Sequence, residues 1–63
     1  MKFEVGQRVR VIDNEYNSKY YQVGDEGVIF KHCGTLGYWS KFDNPFYGDG
    51  RWSVAEICLE VIQ

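Results

Sequence analysis

The sequence predicts an all-β domain of five short strands, and two observations support this. Apolar residues alternate with polar ones in short runs, which is the two-residue period of a half-buried strand. Seven glycines punctuate these runs, and no apolar pattern of helical period lasts long enough for an ordinary helix. The 63 residues allow one domain, over residues 1–63. Because that length cannot stack two large sheets, we expect one strongly bent sheet that closes into a barrel.

The strands are predicted from the runs that lie between the glycines. In the first run, Arg8 and Arg10 alternate with Val9 and Val11. The predicted strands are residues 7–13, 27–33, 38–43, 51–54 and 58–62, with a single 3₁₀ turn over 55–57. A long polar and aromatic loop over residues 14–24 separates the first two strands, and a second loop over 44–50 precedes the fourth.

Alternation along the strands also predicts the core. On the third strand, a core face holding Lys41 would bury an unpaired charge, so Tyr38, Ser40 and Phe42 should point inward. Trp39 then points outward. The predicted inward set is Val9, Val11, Ile29, Tyr38, Phe42, Trp52, Val54, Leu59 and Val61.

Composition narrows the function classes. The formal net charge of −2 lacks the basic excess usual in nucleic-acid-binding domains. The two cysteines, Cys33 and Cys58, lie far apart, and His32 is the only other nitrogen or sulfur ligand for zinc, so we expect free thiols, no metal and no cofactor. Neither a secretory signal nor an apolar run long enough for a membrane helix occurs, which predicts a cytoplasmic protein without membrane association.

The ordered motifs resemble the SH3-like barrel superfamily over nearly the whole chain. They are VGQRVRV at residues 5–11, GDEGVI at 24–29, YWSKFD at 38–43, WSV at 52–54 and EICLEVI at 56–62. The same plan is similar to KOW-type modules and to small barrels encoded by bacteria and their prophages. The resemblance implies a five-stranded barrel with a long first loop and a 3₁₀ turn before the last strand. Ala55 and Cys58 stand where peptide-binding SH3 domains carry a proline and a tyrosine, which argues against recognition of proline-rich peptides.

Aromatic residues of the loops and of the third strand are the first candidate binding site. Aromatic side chains are frequent anchors of protein interfaces. The candidates are Tyr16, Tyr20, Tyr21, Trp39, Phe46 and Tyr47. Alternatively, the loop rings fold back over the open ends of the barrel. If Trp39 anchors a partner, Trp39→Ala should weaken binding and leave thermal stability nearly unchanged.

Basic strand residues form the second candidate site, a nucleic-acid patch of Arg8, Arg10, Lys31 and Lys41. The alternative is a solvated outer face paired with Glu4, Asp43 and Glu60. Two functions follow: a non-catalytic module, accessory or inhibitory, that docks onto a larger protein, or an RNA- or ribosome-associated module of the KOW type. No arrangement of nucleophile and base suggests an enzyme.

Overall fold

The computed structural model describes residues 3–15, 17–34, 37–45 and 47–62 of the chain. These residues contain the strands β1 (Arg8–Val11), β2 (Glu26–Cys33), β3 (Gly37–Phe42), β4 (Arg51–Ala55) and β5 (Leu59–Val61), and a 3₁₀ turn (Glu56–Cys58) that joins β4 to β5. The predicted all-β class and order of elements are therefore confirmed, with strand ends within two residues of the predicted ones. The 3₁₀ turn begins one residue later than predicted and includes Cys58, which was assigned to the last strand.

All ladders between the strands are antiparallel, and the sheet order is β4-β3-β2-β1-β5. Strands β4 and β5 are the two edges, and no ladder joins them within the described residues. The sheet is therefore open, and its predicted closure into a barrel is not confirmed. The two edge strands follow each other in the chain, connected only by the 3₁₀ turn.

The register between β2 and β3 shifts in the middle of β2, as it does at a β-bulge. Ile29 pairs with Ser40 of β3, but the next pair is Lys31 with Trp39, which leaves Phe30 without a partner in this ladder. The ladder with β1 covers only the first half of β2, and the second half pairs with β3 alone. Because a bulge increases the local twist and bends its strand, the two halves of β2 can belong to differently oriented parts of one sheet.

The core follows the predicted alternation, except that Val61 of β5 is not buried. Buried apolar residues are Phe3, Val9, Val11, Tyr21, Ile29, Tyr38, Phe42, Val54, Cys58 and Leu59. The inward assignment of Val61 is wrong, because its side chain is 39% exposed at the end of a short edge strand. Trp52 is half-buried and packs against the core from the start of the other edge strand.

Ser40 is the buried residue that fits the core least well. It is fully buried on the inward face of β3, and its hydroxyl has no hydrogen-bond partner among the described residues. A buried hydroxyl without a partner costs free energy because it has lost its bonds to water. Position 40 should therefore tolerate a smaller, apolar side chain, which has no hydroxyl group to bury.

We therefore expect Ser40→Ala to raise the free energy of unfolding by about 1 kcal/mol. The matched control is Ser53→Ala on β4, which makes the same chemical change at an exposed strand position. That control should change stability by less than about 0.5 kcal/mol. Urea unfolding monitored by tryptophan fluorescence measures both variants. A Ser40→Ala protein less stable than the control would contradict the expectation.

Candidate functional site

Three aromatic rings meet at the surface where the loops before β2 and before β4 come together. Tyr20 stacks on Trp52, with ring centroids 4.4 Å apart and an interplanar angle of 20°. Tyr47 lies edge-on to Tyr20 at 5.3 Å and tilted against Trp52 at 5.9 Å. Tyr20 and Tyr47 remain 37% and 50% exposed. We call these three residues the aromatic cluster.

The side chain of Asn14 bonds to the backbone of the loop between β1 and β2 at several points. Its amide group donates to the backbone oxygens of Ser18 and Tyr21, at 3.0 and 3.3 Å, and its Oδ1 accepts from the backbone N–H of Ser18 at 2.9 Å. The hydroxyl of Ser18 accepts in turn from the N–H of Tyr20. These bonds fix the loop so that Tyr21 points into the core and Tyr20 points across the sheet edge.

The loop between β3 and β4 is tied to the cluster through Trp52. The indole N–H of Trp52 donates to the backbone oxygen of Tyr47 at 3.0 Å. Asp49 accepts from both the backbone N–H and the guanidinium of Arg51, which holds the pKa of its carboxyl below the usual range. These bonds anchor the loop at Tyr47 and at Asp49, and the side chain of Tyr47 stays at its surface.

The predicted aromatic candidates separate into different places. Tyr20 and Tyr47 are brought together, whereas Tyr21 is 5% exposed and belongs to the core beside Phe42. Tyr21 is therefore a core residue and not part of the exposed aromatic surface. Tyr16 and Phe46 lie outside the described residues.

Trp39 is the candidate that lies away from the cluster. As the alternation predicted, Tyr38, Ser40 and Phe42 are buried, and Trp39 points to the opposite face of the sheet. Its partners in the neighbouring strands are Lys31 and Ser53, and it is half-buried. Within the part of the chain that the structure describes, Trp39 makes no ring contact with the aromatic cluster.

Two of the four basic candidates are neutralised by carboxylates. Arg8 forms a two-bond ion pair with Asp43 and lies 3.7 Å from Glu26. Arg10 reaches Glu26 at 3.3 Å and Glu60 at 3.0 Å. The hydrogen bond from Arg8 lowers the pKa of Asp43, so that this carboxylate stays charged to lower pH. The predicted alternative was an outer face on which the basic residues pair with Glu4, Asp43 and Glu60. The network contains two of these acids, Asp43 and Glu60.

Lys31 and Lys41 differ from the arginines. Both are exposed strand residues, and neither forms an ion pair in the described ranges of the chain. Lys31 is the direct partner of Trp39 across β2 and β3, and Lys41 lies two residues after Trp39 on the same strand. The predicted basic patch is therefore split into a neutralised half on β1 and an unpaired half beside Trp39.

Sequence reasoning missed two residues of these surfaces. Trp52 was assigned to the core alone, although its pairing with Ser40 at the start of an edge strand leaves one ring face for Tyr20. Glu26 was not among the predicted site residues, yet it is the carboxylate that both arginines share. The signal for Glu26 was its place opposite Arg10 in an antiparallel pair, which needs the register to be known.

Both cysteines are free thiols, Cys58 buried and Cys33 half-buried. Among the described residues, no group of three or more His, Cys, Asp or Glu side chains is placed to hold a metal ion. Within the same ranges, no helix has the length and apolar character needed to cross a membrane. Searches of protein-family models, of curated proteins and of solved structures found no match to this chain. The class of the protein therefore follows from its architecture, a small all-β domain with one five-stranded antiparallel sheet.

Proposed function

We propose that the chain is a non-catalytic protein-interaction module with an SH3-like architecture, which docks onto a larger protein as an accessory or inhibitory subunit. The SH3-like assignment is supported by the order of elements, the long loop after β1 and the 3₁₀ turn between the two edge strands. The aromatic cluster is the proposed contact surface.

The observation that carries this proposal is the exposure of rings that are held in place by contacts with one another. The Tyr47 side chain is half exposed, while its own carbonyl is bonded to Trp52. A ring that is already oriented loses little conformational freedom on binding, so its buried area contributes more to affinity. Aromatic residues with these properties are common among interface hot spots.

The cluster also offers a partner both apolar and charged chemistry. The ammonium group of Lys19 lies 5.7 Å from the centre of the Tyr20 ring. A ring flanked by a cation suits a partner surface that combines an apolar side chain with an acidic rim, because contact then removes the ring from water and pairs the cation at the edge. We therefore expect the partner to contribute an apolar residue next to a carboxylate.

Site-specific photo-crosslinking tests the contact surface in the source cell. The photoreactive p-benzoylphenylalanine replaces Tyr47 in one variant and Phe30 in the control, an aromatic residue of similar exposure on β2. We expect one protein adduct from position 47 and none from position 30. Adducts from position 30 alone would overturn the proposed surface.

Affinity for the partner identified in this way gives the second readout. Tyr47→Ala removes the exposed ring and leaves the carbonyl bonded to Trp52, so the fold should be retained. We expect binding to weaken by about 2 kcal/mol, as in hot-spot truncations, measured by isothermal titration calorimetry. Phe30→Ala should bind like the wild type. Equal affinities for all three proteins would contradict the proposal.

A further inference from the structure

The face of β2 and β3 that carries Trp39 combines an indole with two unpaired cations. Lys31 is the direct cross-strand partner of Trp39, and Lys41 follows two residues later on β3. Side chains two residues apart point to the same face of a strand, about 6–7 Å apart along it. Directly paired residues also share a face. Lys31, Trp39 and Lys41 therefore form one surface, which we call the Trp39 face.

The two lysines of this face form no ion pair within the described part of the chain, unlike the three arginines. Six of the seven lysines and arginines are described. Arg8, Arg10 and Arg51 are each paired with carboxylates, and Lys19 lies over the Tyr20 ring. The remaining two are the lysines of the Trp39 face. An anionic ligand would therefore find available cations here, despite the net negative charge of the protein.

We propose that the Trp39 face binds single-stranded nucleic acid, with a base stacked on the indole of Trp39 and the phosphates on either side paired with Lys31 and Lys41. Single strands are bound in this way by other proteins, through aromatic platforms for bases and cations for the backbone. The bases of a duplex are already stacked on each other, so the exposed part of the half-buried Trp39 indole favours an unpaired strand. An acidic peptide satisfies the lysines but offers no repeating planar ring for the indole.

This site uses none of the residues of the aromatic cluster. Trp39 and Trp52 lie on opposite faces of the sheet, because Trp52 pairs with inward-facing Ser40 and Trp39 pairs with exposed Ser53. Nucleic-acid binding here is therefore independent of the proposed protein contact, and either can fail while the other stands.

Fluorescence of a protein with a single tryptophan tests the stacking. Trp52→Phe leaves Trp39 as the only tryptophan of the chain. After circular dichroism has verified its fold, this variant is titrated with a 12-residue oligouridylate at low salt. We expect saturable quenching of Trp39, since a stacked base quenches an indole. Titration with polyglutamate should leave the fluorescence unchanged. No quenching by the oligonucleotide, or equal quenching by polyglutamate, would overturn the proposal.

Fluorescence anisotropy of a labelled oligouridylate measures how much base stacking and charge each contribute to the affinity. In the wild-type background, Trp39→Ala should weaken binding about tenfold or more. Lys31→Ala and Lys41→Ala should each reduce the slope of log affinity against log salt by about 0.7. Lys19→Ala, which removes a cation from the aromatic cluster, is the matched control and should leave the slope unchanged.

If Trp39→Ala does not fold, a variant of the two exposed lysines still tests the site. The double variant Lys31→Ala/Lys41→Ala changes two exposed positions and should retain the fold. Its loss of affinity should exceed that of the Lys19→Ala control. If Lys19→Ala weakens binding as much, or if a duplex of the same length binds as tightly as the single strand, the proposed site is wrong.

Discussion

Gly27→Ala is expected to remove most of the stability of the domain. Gly27 is buried in β2 opposite Phe42, where the backbones of β2 and β3 approach closely. A Cβ atom at this position would lie 2.3 Å from the backbone oxygen of Lys41 and 2.9 Å from the Cα atom of Phe42. Both obstacles are backbone atoms of β3, so no rotation of a side chain can relieve the overlap.

The expected cost of this clash is about 3 kcal/mol or more, beyond ordinary overpacking of a core. A domain of this size has a total stability of roughly 3–5 kcal/mol, which the substitution would nearly remove. The matched control is Gly24→Ala, whose Cβ meets no atom within 4 Å and whose cost comes only from its φ of +100°. That control should lose only about 1 kcal/mol.

Circular dichroism and thermal unfolding distinguish the two glycine variants. Gly27→Ala should lack a cooperative transition, whereas Gly24→Ala should unfold cooperatively at a lower midpoint than the wild type. A Gly27→Ala protein as stable as Gly24→Ala would mean that β2 and β3 do not approach each other at this point, and the register of the ladder would have to be revised.

Tyr38→Phe is expected to lower the free energy of unfolding by about 2 kcal/mol. The Tyr38 hydroxyl accepts from the backbone N–H of Phe3 at 2.9 Å and donates to Oε2 of Glu56 at 2.6 Å. Tyr38 is fully buried, so water cannot replace these bonds without opening the core. One hydroxyl therefore joins β3 to both the N-terminal segment and the 3₁₀ turn.

Most of this loss should come from the bond to Glu56, because a hydrogen bond to a charged group contributes more than one between neutral groups. A double-mutant cycle of Tyr38→Phe with Glu56→Gln, measured by urea unfolding, gives the coupling of the two side chains. Tyr20→Phe is the control, since it removes a hydroxyl from an exposed ring of the aromatic cluster. A loss no greater than in the control, or additive effects in the cycle, would show that the network contributes little.

The strands were predictable because their signal is local. A side chain on a strand alternates between two faces, and one charged residue, Lys41, was enough to assign the faces of β3. The prediction failed at Val61 because alternation describes the direction of a side chain and not what covers it. Val61 points with Leu59 but lies at the end of an edge strand.

The candidate sites were less predictable because they depend on contacts between distant parts of the chain. Tyr20 and Tyr21 are neighbours of the same residue type, and the hydrogen bonds of Asn14 accompany the burial of one and the exposure of the other. Likewise, Trp52 joins the aromatic cluster only because two loops meet beside it.

Composition and alternation alone thus determined the all-β class, the five strands and most of the core, since these follow from the local chemistry of the residues. The tertiary structure decided which charges remain available. Arg8 and Arg10 share Glu26 because β1 pairs with β2 in one register, and Lys31 lies beside Trp39 because the register of β2 and β3 shifts between Ile29 and Lys31. Registers of this kind arise from pairing along the whole ladder, which no short segment of sequence encodes by itself.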